Sequence, residues 1–245
     1  MSLLRSVAAA FSFLTRLPIP GVAGERELGR SVVWFPLVGA AMGAVLVGAA
    51  RAGARLGHLP PGLLAVALVA LLAAMSGGLH LDGLADTFDA LGGGRGDRAR
   101  MLEIMRDSRI GAHGAAALFL VLIAKTFAIG DLLARGADWA LFVTPVLARW
   151  AVVPLIVFFR YARPSGLGDP FRRHAGAAQV AAATALPLAL AVWAGGGTFA
   201  AGGAALGVAL ALGAWLNRRL AGLTGDVYGA AIELAELAAL VTASR

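Results

Sequence analysis

Residues 61–89 read PGLLAVALVALLAAMSGGLHLDGLADTFD. From Pro61 to Leu79 the one polar side chain is Ser76. About twenty apolar residues is the length a helix needs to cross a bilayer. No turn signal in the stretch is strong enough to end the helix, so it is expected to run on through Gly78 into the acidic part. Continued in that way, it sets Asp82, Asp86 and Asp89 at i, i+4 and i+7, on one face over two turns. A membrane helix that ends in a row of carboxylates bears on the fold and on where chemistry can occur.

The rest of the chain reads the same way. Of its 245 residues 59% are hydrophobic, and the mean hydropathy is +0.80, more apolar side chain than a soluble domain of this size buries. Only 7% are aromatic and 33 are Gly, which suits close approach of helix backbones within a membrane. Candidate spans fall at 32–50, 61–79, 112–129, 139–159, 177–194 and 199–216. A seventh, at 228–242, is short and carries Glu233 and Glu236. Gly195, Gly196 and Gly197 mark a tight turn between two spans. The expected fold is all-α, a polytopic transmembrane bundle of six to seven spans forming a single domain over 1–245. Residues 1–14 superficially resemble a signal peptide. The run is short and leads into Thr15, Arg16, Leu17, Pro18, Ile19 and Pro20, so an interfacial helix or half-span ended by the two prolines fits better.

The connections carry nearly all the charge. The chain has no Cys, which excludes thiolate catalysis, disulfides and zinc–thiolate sites. A net charge of +7 would suggest nucleic acid for a soluble protein, but here the arginines stand mostly between apolar runs and orient the chain in the bilayer; no nucleic-acid partner is expected. Alternate sides of the span pattern hold 15 cations (Arg5, Arg16, Arg26, Arg30, Arg95, Arg98, Arg100, Arg106, Arg109, Arg160, Arg163, Arg172, Arg173, Arg218, Arg219) and 4 (Arg51, Arg55, Arg135, Arg245). The positive-inside rule makes the crowded side cytoplasmic, which points to a multi-pass protein of the inner membrane with its active face toward the cytoplasm. Lys125 and Arg149 fall inside apolar segments. For Lys125, the chain's one lysine, pairing or snorkelling is favoured over catalysis.

Three clusters on the crowded side carry candidate chemistry. Asp82, Asp86 and Asp89 would repel one another near a low-dielectric medium unless a cation joined them. Oxygen ligands with one nearby His80 favour hard Mg²⁺, or Mn²⁺, over Zn²⁺; the alternative is a solvated helix end paired with arginines. After Gly92, Gly93 and Gly94 comes a short amphipathic element in which Leu102, Ile104 and Met105 can pack on the bundle. Its Arg98, Arg106 and Arg109 can grip phosphate oxygens, and Asp107 is a further candidate ligand; a basic loop on anionic lipid head groups is the plainer reading. The third cluster holds Thr224, Asp226 and Glu233. Asp226 and Glu233 share a helix side, and N-capping by Thr224 or Asp226 is the competing explanation. The chain lacks a Walker A sequence, H-E-x-x-H, G-x-S-x-G and a dinucleotide fingerprint.

Five blocks spread in order over the chain carry a resemblance: FLTRLP at 13–18, WFPLVG at 34–39, GLHLDGLADTFD at 78–89, LEIMRDSRIGAHG at 102–114, and Thr224, Gly225 and Asp226 through Glu236. In these the chain resembles the cobalamin synthases, also called adenosylcobinamide-GDP ribazoletransferases. The first two blocks are weak alone; the third followed by the fourth is specific. Ala90 departs from the family's pattern, which has Gly there. The resemblance implies a Mg²⁺-dependent transfer at the membrane, in which a ribose hydroxyl of α-ribazole, or of its 5'-phosphate, attacks the cobinamide-linked phosphorus of adenosylcobinamide-GDP and GMP leaves. Under it, Asp82, Asp86, Asp107 and Asp226 are metal ligands, Asp89 is a ligand or the base, and Arg106 and Arg109 clamp phosphate. Membrane lipid is the other expected partner, and a homo-oligomer stays open. Two rival readings remain: a phosphotransferase of the CDP-alcohol type, whose pattern has Ala-Arg where this chain has Ala85-Asp86, and a transporter.

Overall fold

The structure is a computed structural model that describes residues 2–17, 19, 24–57, 59–163 and 169–245. Pro18 and Pro20, expected to end the first helix, lie outside the described residues, as does the side chain of Arg172. The helices are α1 (Ser2–Leu14), α2 (Glu25–Ser31), α3 (Phe35–Leu56), α4 (Pro61–Ser76), α5 (Leu79–Gly93), α6 (Arg98–Ile104), α7 (Ala112–Ala134), α8 (Asp138–Ala151), α9 (Val153–Phe158), α10 (Asp169–His174), α11 (Ala177–Ala194), α12 (Gly196–Leu220) and α13 (Gly225–Ala243), with a 3-10 turn at Val32–Trp34.

Five stretches are long and apolar enough to cross a bilayer: Glu25–Arg55, Ala112–Ala134, Asp138–Phe158, Ala177–Ala194 and Gly196–Leu220. The all-α polytopic bundle is therefore present among the described residues, with five candidate spans, or six, the lower end of the expected range, if the bent pair Pro61–Ser76 and Leu79–Gly93 is one span. The helix of 61–79 does not run on into the aspartates. It ends at Ser76, because Gly77 and Gly78 both take left-handed backbone angles, φ 63° and 75°. Their N–H groups donate back to Ala74 O at 3.1 Å and Ala73 O at 2.9 Å, the bonds that close a helix C-terminus around glycine. α4 and α5 pass as a span only when joined, yet they meet at 91°. α5 thus turns away from the axis of α4, and neither helix is among the five spans. The break keeps the three aspartates on one helix and re-aims them.

α13 has a spanning length of 19 residues, and charge alone keeps it out of the count. Glu233 and Glu236 are buried inside the bundle. Lys125 of α7 donates to Glu233 at 2.6 Å and to Glu236 at 2.8 Å, and Arg149 of α8 donates to Glu236. Lys125 is 2% exposed, so it turns inward to pair and does not snorkel. Nearby Asp131 pairs with Arg135 at 3.0 Å. Two cations and two anions tie α7, α8 and α13 together where no solvent competes.

Small residues set the helix spacing. A Cβ at Gly39 or Gly43 of α3 would overlap the backbone of α8 at Pro145 and Phe142, the close approach that drives helix association in lipid. Outward-facing Phe119, Leu120 and Phe127 on α7, and Val192 and Trp193 on α11, are exposed, as side chains against acyl chains must be. Polar contacts divide by end. Arg51 pairs with Asp138 at 2.7 Å and Arg135 reaches Arg245 O at 3.2 Å at one end; the aspartate-bearing mouth occupies the other.

Replacing Lys125 by Met leaves Glu233 buried without a partner, and the detergent-solubilised protein is expected to lose about 3–5 kcal/mol of stability. The double variant Lys125→Met, Glu233→Gln recovers part of that loss. A thermal unfolding midpoint unmoved by Lys125→Met refutes the tie.

Candidate functional site

The mouth is built by α5 and the start of α13. Gly83 and Gly229 let the two helices touch: a Cβ at Gly83 would sit 2.6 Å from Asp226 O, and one at Gly229 would sit 3.2 Å from the His80 backbone. Thr224 caps α13, its hydroxyl accepting from Val227 N, so capping falls to Thr224. Asp226, in the first turn, is left to accept from Arg163 Nη2 at 2.8 Å.

Arg163 is held there by the backbone. Leu223 N donates to Arg160 O at 2.7 Å and Ala162 N to Leu223 O at 2.8 Å, a two-residue parallel bridge between the loop after α9 and the loop before α13. Gly222 permits it with φ 150°, since a side chain there would run into the backbone of Ala162. Arg98, a candidate phosphate ligand, is used in the same corner: its guanidinium donates to Leu220 O at 2.6 Å and Ala162 O at 3.2 Å. That is a structural clasp between α6, the end of α12 and the loop after α9.

The three aspartates of α5 differ in exposure: Asp82 is exposed, Asp86 half-buried and Asp89 buried. Burial holds the Asp86 carboxyl up at about 7, with the charges of Asp82, Asp226 and Asp89 adding to the rise and Arg163 opposing it. These four carboxylates therefore crowd one another across two helices. Asp89 is otherwise engaged. Its oxygens accept from Gly111 N at 2.7 Å and Gly114 N at 2.8 Å, so it holds the N-terminus of α7, where a negative charge also meets the helix dipole. Each oxygen already has one lone pair engaged by a backbone amide, so its geometry speaks for anchoring.

Asp107 and Arg109, expected as ligand and clamp, bind each other. Arg109 Nε donates to Asp107 Oδ1 at 2.9 Å and Nη2 to Oδ2 at 2.6 Å, and this pair holds the Asp107 carboxyl down at about 2. Both stand in the link between α6 and α7. Arg106 is exposed beside them. An open cleft of about 600 Å³ runs along this face, lined by Arg16, Asp82, Asp86, Ser108 and Arg109. Arg16 is pinned beside the α4–α5 break, its N–H donating to Met75 O at 2.9 Å.

The donor set suits a hard divalent ion in kind, being made of carboxylate oxygens. The side chains are not drawn into a finished shell: among the described residues no three His, Asp or Glu side chains stand close enough to hold an ion. Asp82 and Asp86 are the members left without a structural duty, with Asp226 across from them. Glu233, which shares a helix side with Asp226, belongs to the buried charge tie. Sequence reading missed Arg163, which lies among several loop arginines and finds Asp226 63 residues away.

Fold and mouth together define a polytopic α-helical membrane protein that gathers carboxylates and arginines at one end of its bundle. The sequence profile of the cobalamin-5-phosphate synthase family matches residues 6–244, and the chain belongs to that family. It is 43% identical over 244 residues to the adenosylcobinamide-GDP ribazoletransferase of Pseudomonas paraeruginosa, with 97% of each chain covered. The enzyme of the same name from Klebsiella pneumoniae is 43% identical over 246 residues, covering 96% of this chain and 97% of the relative. That from Roseiflexus sp. is 42% identical over 241 residues, covering 96% and 88%. No solved structure matches the chain.

Asp89→Ala is expected to cost about 1–3 kcal/mol by stripping two buried amides of their acceptor. Hydrogen exchange at Gly111 and Gly114 should speed up selectively. Unchanged protection at both amides would remove the anchoring role.

Proposed function

We propose that the chain transfers α-ribazole, or its 5'-phosphate, onto adenosylcobinamide-GDP, releasing GMP and forming adenosylcobalamin or its 5'-phosphate. The observation that carries this is the meeting of Asp82, Asp86 and Asp226 at one mouth, opposite Arg163 and beside a cleft lined by Arg16 and Arg109. Phosphoryl-type transfer asks a protein for positioning and charge compensation more than for covalent participation. Membership of the family, and the name its relatives share, fix the substrate class.

Mg²⁺, or Mn²⁺, is the cofactor of this reading. When bound it would neutralise phosphate oxygens and favour departure of GMP. Asp82 and Asp86 are its proposed anchors, with Asp226 the ligand from α13 once Arg163 turns toward phosphate. Asp107 joins them only on parting from Arg109. That exchange suits both partners, because the freed guanidinium can then grip the diphosphate in two-point fashion; Arg106 is the second clamp. Asp89 keeps the α6–α7 link in place. The active face is cytoplasmic and the membrane the inner one, a reading supported by the 15-to-4 split of cations.

Purified protein given adenosylcobinamide-GDP and α-ribazole is expected to release GMP, with activity abolished by chelation and restored by added Mg²⁺. Asp82→Asn and Asp86→Asn should each lower turnover at least about a hundredfold at unchanged thermal midpoint. Turnover that survives chelation, or phosphatidyl transfer without corrinoid transfer, would overturn the assignment.

A further inference from the structure

At the end of the bundle away from the mouth, α3, α8 and α11 leave an open groove of about 530 Å³ between them. Ala44 and Gly48 of α3 line it, on a face next to the one that Gly39 and Gly43 press against α8. Both are exposed, and a Cβ at Gly48 would meet nothing within 4 Å. Trp139 of α8 and Trp193 of α11 line the groove as well, and Trp193 is 78% exposed.

The groove changes character along its length. Arg51, one turn beyond Gly48 on the same face of α3, meets Asp138 of α8 there. Asp138 is the first residue of its span, and Arg51 lies near the last residue, Arg55, of its own. These two charges therefore stand where a bilayer has its head groups, the depth that Trp side chains also favour, while Ala44 and Gly48 lie deeper. Small apolar residues inward and ions outward give the groove the polarity of a phospholipid.

The ion pair is only partly used. Arg51 Nε donates to Asp138 Oδ2 at 2.7 Å, and among the described residues Arg51 Nη1, Arg51 Nη2 and Asp138 Oδ1 have no hydrogen-bond partner. The side chains are 63% and 32% exposed, so the pair itself adds little stability and its remaining groups are open to a guest. That guest has to offer an anion to the guanidinium edge and a cation to the carboxylate oxygen, side by side.

We propose that this groove seats one phospholipid with a zwitterionic head group that ends in a primary ammonium, as in phosphatidylethanolamine. Its phosphate meets the free edge of Arg51, its ammonium donates to Asp138 Oδ1, and an acyl chain lies along Ala44 and Gly48. The neighbouring indole rings favour a cation as well. An anionic head group would set its negative charge beside Asp138 with no cation of its own. A quaternary ammonium has no N–H to give to Oδ1. The lipid comes from the leaflet away from the mouth, so its retention is independent of the reaction that the mouth performs.

The full-length protein in detergent is incubated with phosphatidylethanolamine, phosphatidylglycerol or phosphatidylcholine of identical acyl chains, and bound lipid is counted by native mass spectrometry. Phosphatidylethanolamine is expected to be retained about tenfold better than the other two, the effect of one charge-assisted hydrogen bond. Asp138→Asn should erase that preference, and Gly48→Phe, which fills the groove, should lower retention of phosphatidylethanolamine by a similar factor. Equal retention of the three lipids by the wild-type protein means ordinary boundary lipid and overturns the proposal, as does an unchanged preference in Asp138→Asn. Unchanged retention in Gly48→Phe also overturns it, and this variant decides if Asp138→Asn does not fold, because its new ring enters open space. A dimer that Gly48→Phe breaks apart would give the groove to a second copy of the chain and defeat the lipid assignment.

Discussion

A charge inside a bilayer has no water to answer it, and this bundle meets that constraint by making its buried ions answer each other. Lys125, Arg149, Glu233 and Glu236 come from three helices and balance two positive against two negative charges. Each is costly alone, and together they leave little freedom in how α13 can lie between α7 and α8. α13 is too acidic to face lipid on its own. Its place in the interior follows from the partners waiting there.

Fixing α13 fixes the mouth. Its first turn carries Asp226, and its Gly229 lies flush against α5 at His80, so the position of one helix sets the distance of Asp226 from Asp82 and Asp86. The 91° turn at Gly77 and Gly78 supplies the other half of the geometry, swinging α5 across the end of the bundle. Asp89 then reaches the amides of Gly111 and Gly114, and that contact places the link bearing Arg106, Asp107 and Arg109 along the cleft. The carboxylates and guanidinium groups of the mouth need not touch the tie that aligns them. They inherit its rigidity through two helices and one carboxylate.

Two spaces separated by Asp82 suit a reaction that joins unlike substrates. The open cleft is lined by Arg16 and Arg109, and a smaller enclosed cavity sets Asp226 and Arg163 among Phe13, Phe35 and Phe171. Asp107 paired with Arg109 represents the mouth in a self-satisfied arrangement, since each occupies the other's binding groups.

Much of this was legible in the chain itself. Long apolar runs dictate membrane helices, because backbone amides in lipid have no alternative to helical bonding, and the asymmetric arginines give them a direction. The spacing of Asp82, Asp86 and Asp89 puts them on one helix face whether or not the helix before them continues. Local patterns of this kind are fixed by the period of a helix and the chemistry of lipid, so they can be read without coordinates. What could not be read was which charge meets which: that Lys125 turns inward, that Glu233 belongs to the tie and not to the site, that Asp89 holds backbone, and that Arg163 finds Asp226. Those pairings join residues far apart in the chain, and one lone arginine in a loop looks like another. Only the packing of α5, α7, α8 and α13, with glycines deciding how near they come, selects among partners that the sequence presents as equivalent.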